Sequence, residues 1–134
     1  MKPSVGQTAS RKRTITRKHV EMYAEMTGDY NPLHFDEAFA KATPFGGLVV
    51  QGGLTIGILN ALVAQDMPGP GTVFLSDGIK FTAPVFVGDT ITGEATVLSV
   101  HESKPVTELA VKISRGDGET VLEGVAWCYT FSPA

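Results

Sequence analysis

Residues 54–63 constrain the fold most, because as a helix they leave almost no polar face. Six of these ten positions are Leu, Ile or Val, and Asn60 is the one strongly polar residue in the interior of the stretch. A helix that is apolar nearly all round has to be buried by the rest of its chain. Small residues recur at Gly57, Ala61 and Ala64, a spacing that lets another element pack closely. We therefore predict a buried central helix.

The second half of the chain has the composition and spacing of antiparallel strands. Turn residues separate four stretches rich in β-branched and aromatic side chains, and Asp117-Gly118 is a strong hairpin signal. The predicted strands are residues 72–81, 90–100, 105–114 and 120–131, with an irregular first strand within residues 4–15. Several antiparallel strands and one apolar helix predict an α+β fold in which the sheet curls around the helix.

Between the first strand and the central helix, the sequence predicts shorter helical segments. Residues 17–26 have the spacing of an amphipathic helix, with Thr16 as its N-cap and Gly28 as the residue that ends it. Asp36 is placed to cap a second, short helix. We expect His19, near the start of the first helix, to be exposed.

The composition describes one globular domain over residues 1–134. The chain is 43% hydrophobic with a net charge of −3, which excludes a disordered chain and gives no sign of nucleic-acid binding. Cys128 is the single cysteine, so an intramolecular disulfide is excluded and a reducing cytoplasm fits. We expect Cys128 to pack in the core. The basic run at residues 11–13 predicts a solvated strand face, with a ligand phosphate contact as the alternative.

Neither a membrane-spanning helix nor a metal site is predicted. No run of 18 apolar residues exists, so no helix of this sequence is expected to cross a membrane. The His and Cys residues are too scattered to form a metal cluster, and no organic cofactor is implied.

The segment that points to chemistry is residues 28–34, Gly-Asp-Tyr-Asn-Pro-Leu-His. Asp29 and His34 are five residues apart, which places them on different faces of a helix and on opposite faces of a strand. Pro32 disfavours a continuous helix, so an irregular turn is the way to bring both side chains to one point. Two interpretations remain open. Asp29, Asn31 and His34 either make only local cap and loop hydrogen bonds, or they include an acid–imidazole pair.

The same segment resembles the signature of the (R)-specific enoyl-CoA hydratases, also called hydratase 2 or MaoC-type dehydratases. That signature has an aromatic residue, a small residue, Gly-Asp-x-Asn-Pro-aliphatic-His, and a small residue six positions later. The matching residues are Tyr23, Thr27, Gly28, Asp29, Asn31, Pro32, Leu33, His34 and Ala40. The resemblance extends over residues 45–62, 68–71 and 81–89, and thus covers most of the chain. It implies a hotdog fold, in which an antiparallel sheet wraps a long central helix, usually in a homodimer.

The resemblance also implies roles for individual residues. Asp29 and His34 match the acid/base pair that holds the catalytic water. Gly52 matches the glycine at the head of the central helix whose amide faces the thioester oxygen, and Asn60 falls where a polar residue, often Ser, lines the pocket. The predicted oxyanion and substrate-binding set is Gly52, Gly53, Asn31 and Asn60.

Three positions depart from the family pattern. Gln51 stands where the family commonly has His, Asn60 is larger than Ser, and Met26 replaces a smaller or aliphatic residue. The first two departures bear on the substrate and the size of the pocket, and the third is a packing variation.

The activity that the resemblance implies is that of a hydro-lyase, the reversible hydration of trans-2-enoyl-CoA to (R)-3-hydroxyacyl-CoA with short to medium acyl chains. The residue types fit, because hydration needs a base for water, a proton for C2 and amides that stabilise an enolate oxygen. A hotdog acyl-CoA thioesterase and a non-catalytic acyl-CoA-binding protein are the alternatives. We predict a cytoplasmic homodimer that binds acyl-CoA, without nucleic acid or membrane insertion. The sequence does not decide whether Asp29 or His34 takes the first proton.

Overall fold

The computed structural model describes residues 2–133, in which five strands and four α-helices surround one hydrophobic core. The strands are β1 (Thr8–Thr14), β2 (Thr72–Phe81), β3 (Thr90–Val100), β4 (Val106–Arg115) and β5 (Thr120–Thr130). The helices are α1 (Arg17–Thr27), α2 (Pro32–Phe35), α3 (Glu37–Lys41) and α4 (Gly52–Ala61). The predicted α+β class and the predicted strands are confirmed, with differences of one or two residues at some ends.

The five strands form one antiparallel sheet in the order β1-β3-β4-β5-β2. Along β3 the residues alternate between a buried and a more exposed face, and Ile91, Gly93 and Ala95 are on the buried one. A Cβ at Gly93 would lie 3.2 Å from Cγ2 of Ile58 and 3.4 Å from Cδ2 of Leu59. The missing side chain at Gly93 therefore lets α4 approach the sheet closely.

The central helix differs from its prediction at both ends. It begins at Gly52, two residues before the apolar stretch, and continues into a π-helical turn over Leu62–Asp66. Arg11 of β1 fixes this turn, because its Nε lies 2.8 Å from Oδ2 of Asp66. This ion pair lowers the pKa of the Asp66 carboxyl. Arg11 thus has a partner within the chain.

The expected burial of α4 on all sides is wrong for the single chain. Ile58 and Leu59 are buried, whereas Gly53 and Asn60 are exposed. The small residue Ala61 is half-buried. The apolar sequence pattern identified the helix that packs on the sheet, but the described residues of the chain leave Gly53 and Asn60 of this helix exposed.

Local signals near the N-terminus predicted the structure well. Thr16 caps α1 through its side chain, and Gly28 ends the helix with φ of 84°, a left-handed conformation that glycine adopts without strain. Asp36 caps α3 as predicted. His19 is half-buried rather than exposed, because its Nδ1 accepts a hydrogen bond from the backbone N–H of Thr16 at 3.0 Å.

Cys128 is fully buried in the core, which confirms its predicted packing role. Burial raises the pKa of its thiol to about 11, so the neutral form prevails at physiological pH. Among the described residues, no helix combines the length and the hydropathy needed to cross a membrane.

The contact between Gly93 and α4 is testable by overpacking. We expect Gly93→Val to lower the free energy of unfolding by about 1–3 kcal/mol, because the new side chain pushes Ile58 and Leu59 away from the sheet. Thr92→Val is the matched control, since Thr92 directly precedes Gly93 in β3 and points to the opposite, more exposed face. Urea unfolding measures both variants, and equal destabilisation of the two would contradict the close approach of α4.

Candidate active site

Residues 28–34 form the irregular turn that the sequence predicts. The chain leaves α1 at Gly28, and Asn31 then caps α2 by accepting the backbone N–H of Leu33 at 3.1 Å. Pro32 occupies the first turn of α2, where its missing N–H costs nothing. As a result, Oδ2 of Asp29 lies 3.7 Å from Nε2 of His34. The turn thus brings the two side chains together, as the acid–imidazole interpretation expects.

A backbone carbonyl fixes the orientation of the His34 side chain. Its Nδ1 lies 2.7 Å from the carbonyl oxygen of Val49, and the residue is 7% exposed. Because a carbonyl oxygen can only accept, Nδ1 carries the proton. The Nε2 atom of the neutral ring then has a free lone pair directed to the side where Asp29 lies, which suits a general base.

Asp29 is oriented by its neighbours and stays accessible. Its Oδ1 accepts the backbone N–H of Asn31 at 3.3 Å, while Thr27 accepts the backbone N–H of Asp29 itself. Its side chain is 41% exposed, against 9% for that of His34. Both interpretations of the segment are therefore present together, because the local hydrogen bonds are what bring the acid to the imidazole.

A cavity of about 490 Å³ opens beside His34. His34, Gly52 and Thr55 lie in its wall, together with Thr82. The apolar part of the wall is Leu33, Phe45, Val49, Val50, Phe81, Ala83, Pro84 and Val85. Such a mostly apolar space with a few polar groups in its wall suits an acyl chain joined to a reactive carbonyl.

The head of α4 supplies the hydrogen-bond donor of this cavity. No side chain caps the helix, and the first amides of any helix lack an intrahelical partner. The helix dipole adds partial positive charge at the same point. A Cβ at Gly52 would lie 3.0 Å from Cζ of Phe81, so glycine lets that ring pack close against the helix head.

The structure places the remaining predicted residues outside the cavity. Asn31 is exposed and serves as the cap of α2. Gly53 is exposed, and a Cβ there would collide with the Tyr23 hydroxyl. Asn60 was predicted to line the pocket, but in the single chain it lies on the exposed face of α4. Its solvent-facing position follows from the lack of any covering element in the described chain.

Three features of the site were missed by the sequence reasoning. Thr55 is buried in the cavity wall and donates through Oγ1 to the carbonyl of Gln51 at 3.3 Å. Its position one helical turn after Gly52 was a usable signal. Nothing local in the sequence indicates the Val49 carbonyl or the Phe81 ring. Within residues 2–133, no group of three His, Cys, Asp or Glu residues could hold a metal ion.

Comparison with known proteins identifies the family of the chain. A family model described as MaoC like domain matches residues 2–116. The chain belongs to this family. The MaoC-like chain is 36% identical over 122 residues to an (R)-specific enoyl-CoA hydratase of Aeromonas caviae, with 91% of each protein covered. It is 39% identical over 122 residues to a 3-hydroxybutyryl-CoA dehydratase of Methylorubrum extorquens, covering 91% of this chain and 77% of the relative.

The fold comparison gives the same result for the MaoC-like chain. The solved (R)-hydratase from A. caviae superimposes with a TM-score of 0.91 at 34% identity, covering 96% of this chain and 98% of that one. The predicted hotdog fold is confirmed.

The tautomer of His34 is testable by NMR with two internal controls. We expect neutral His34 to carry its proton on Nδ1, because that atom faces the Val49 carbonyl. In His19 and His101, Nδ1 instead accepts backbone N–H groups, so their neutral rings carry the proton on Nε2. Long-range ¹⁵N–¹H correlation spectra distinguish the two tautomers. An Nε2-protonated His34 would contradict the described site.

Proposed function

We propose that this MaoC-like protein is a hydro-lyase that reversibly adds water to trans-2-enoyl-CoA thioesters to give (R)-3-hydroxyacyl-CoA. The observation that carries the proposal is the 3.7 Å separation of Asp29 Oδ2 and His34 Nε2 beside a cavity that also contains the Gly52 helix head. That separation is too long for a direct hydrogen bond and suits one water molecule that donates a hydrogen bond to each atom.

The reaction follows from these three groups. As the water oxygen bonds to C3 of the enoyl chain, one of its protons passes to the Asp29–His34 pair. The electron pair of the double bond moves towards the thioester carbonyl, where the Gly52 amide stabilises the enolate oxygen. The Asp29–His34 pair then returns a proton to C2. The elements of one water molecule have then been added, and the two side chains are restored.

The class of substrate is supported from two sides. The cavity beside His34 is mostly apolar and holds about 490 Å³, which suits a short to medium acyl chain. One relative is named for a four-carbon 3-hydroxyacyl-CoA and another for (R)-specific hydration, and we propose both properties for this chain. The free thiol of Cys128 is compatible with the reducing cytoplasm, which we propose as the location.

The test is an assay with crotonyl-CoA in which two signals are recorded: the loss of the conjugated-enoyl absorbance and the release of free thiol. A hydratase removes the absorbance without releasing thiol. Asp29→Asn and His34→Ala should each lower kcat by at least about 10², because one water needs both groups. The double variant should be little worse than the poorer single variant, since residues that act as a unit are non-additive.

His101→Ala is the matched control, because His101 is exposed and its ring accepts only neighbouring backbone N–H groups. Release of thiol would identify a thioesterase, and binding without turnover would identify a binding protein. Near-full hydratase activity in either single site variant, with unchanged melting temperature, would contradict the shared-water mechanism.

We further propose that the protein is a homodimer joined along β2. The sheet has two edges, and β1 carries Arg11, Lys12 and Arg13, the kind of charged residues that blunt an edge. The β2 edge instead exposes large apolar side chains, with Val73 at 48% and Leu75 at 57%. An unpaired strand edge with this composition favours pairing with a second copy. In the single chain Asn60 is exposed on α4. In this proposal, Asn60 lines a pocket only if the second subunit covers that face of the helix.

Light scattering tests the dimer. We expect the wild-type mass to be twice that of one chain at micromolar concentration, and Leu75→Lys to shift it towards the monomer, because the new charge lies in the β2 edge. Ser10→Lys places the same charge on exposed β1 and should leave the mass unchanged. A monomeric wild-type protein would be the contrary result.

A further inference from the structure

Gln51 directly precedes α4, and its amide side chain is only 1% exposed. Its Nε2 donates to the carbonyl oxygen of Val20 in α1 at 3.0 Å. Its Oε1 is the one buried side-chain polar atom without a hydrogen-bond partner among residues 2–133. Burying an unpaired carbonyl is costly, so packing alone favours an apolar side chain such as Met at this position. Packing alone therefore does not account for the amide.

Residues 49–52, here named the bridge segment, connect the two ends of the active site. The Val49 carbonyl accepts from His34 Nδ1 at 2.7 Å, and the Val49 N–H donates to the carbonyl of Leu33 at 3.1 Å. Three residues later the segment ends at Gly52, whose amide heads α4. A displacement of the bridge segment would therefore move both the imidazole and the helix head.

The amide of Gln51 attaches the bridge segment to α1. That helix ends at Gly28, immediately before Asp29, so the Gln51–Val20 contact joins the element that leads to the acid with the element that holds the base. Gln51 does not lie in the wall of the cavity beside His34. Any influence of Gln51 on the substrate would therefore pass through its neighbours.

We propose that Gln51 is a positioning residue for the hydration reaction. Its bond to Val20 keeps the bridge segment in register with α1 and thereby sets the distances between Asp29, His34 and the Gly52 amide. The inference rests on the proposed hydratase function. Small errors in such distances lower the rate of the chemical step more than they weaken substrate binding.

Three substitutions test the proposal with crotonyl-CoA. Gln51→Met keeps the length without the donor, Gln51→Asn keeps the amide but shortens its reach, and Gln51→His restores an N–H at a similar reach. We expect Gln51→Met and Gln51→Asn to lower kcat about tenfold or more while KM changes less than threefold. Gln51→His should retain at least half of the wild-type kcat. If the Met variant fails to fold, the Asn and His variants carry the comparison.

Thr72→Val is the matched control, because Thr72 is buried and loses one hydrogen bond, to Thr130, at the opposite end of β2 from Phe81. It should leave kcat unchanged. An unchanged kcat in Gln51→Asn, or an equal loss in Gln51→Asn and Gln51→His, would overturn the proposal.

An NMR readout separates failure of this inference from failure of the proposed function. In Gln51→Asn, the Gly52 amide and the His34 ring should shift together, whereas Thr72→Val leaves both in place. If the wild-type protein hydrates no enoyl-CoA, the function is wrong, and these shifts still decide whether Gln51 positions the two groups. Absence of any shift would overturn the positioning role on its own.

Discussion

The packing of α4 against the sheet is the constraint on which the rest of the structure depends. Ile58 and Leu59 pack on the face of β3 where Gly93 has no side chain, and this contact fixes the distance and orientation of α4 relative to the sheet. The Arg11–Asp66 ion pair holds the turn after the helix to the edge strand β1. Once the helix is fixed in this way, the position of the Gly52 amide is fixed too. The segment before the helix then passes beside His34, where the Val49 carbonyl accepts from the ring.

The same arrangement explains why the site needs few specialised residues. Asp29 and His34 reach each other through an Asx-type cap, a proline at the start of a helix and a bond to a backbone carbonyl. Each of these devices is an ordinary way to satisfy polar groups in a turn. The imidazole of His34 and the uncapped helix head at Gly52 lie in the wall of one mostly apolar cavity, and the Asp29 carboxylate lies 3.7 Å from that imidazole.

Local chemistry in the sequence predicted much of this structure. The caps at Thr16 and Asp36, the left-handed Gly28 and the strands β2 and β3 were all indicated by neighbouring residues alone. Spacing and proline together predicted the irregular turn, and the resemblance implied that Asp29 and His34 act as a pair.

The rest of the site depends on contacts between residues distant in sequence. The Val49 carbonyl behind His34 and the Phe81 ring over Gly52 are not encoded in any short segment. The exposure of Asn60 was missed for a related reason, since hydropathy shows which residues are apolar and not which helix face the chain covers.

In the proposed reaction, Asp29, His34 and the Gly52 amide act on one thioester. It is tested most directly by a crystal structure with butyryl-CoA, a saturated analogue that cannot be hydrated. We expect the thioester oxygen within hydrogen-bond distance of the Gly52 N–H, with C3 of the acyl chain facing a water held by Asp29 Oδ2 and His34 Nε2. A thioester bound away from Gly52, with its acyl chain outside the cavity beside His34, would contradict it.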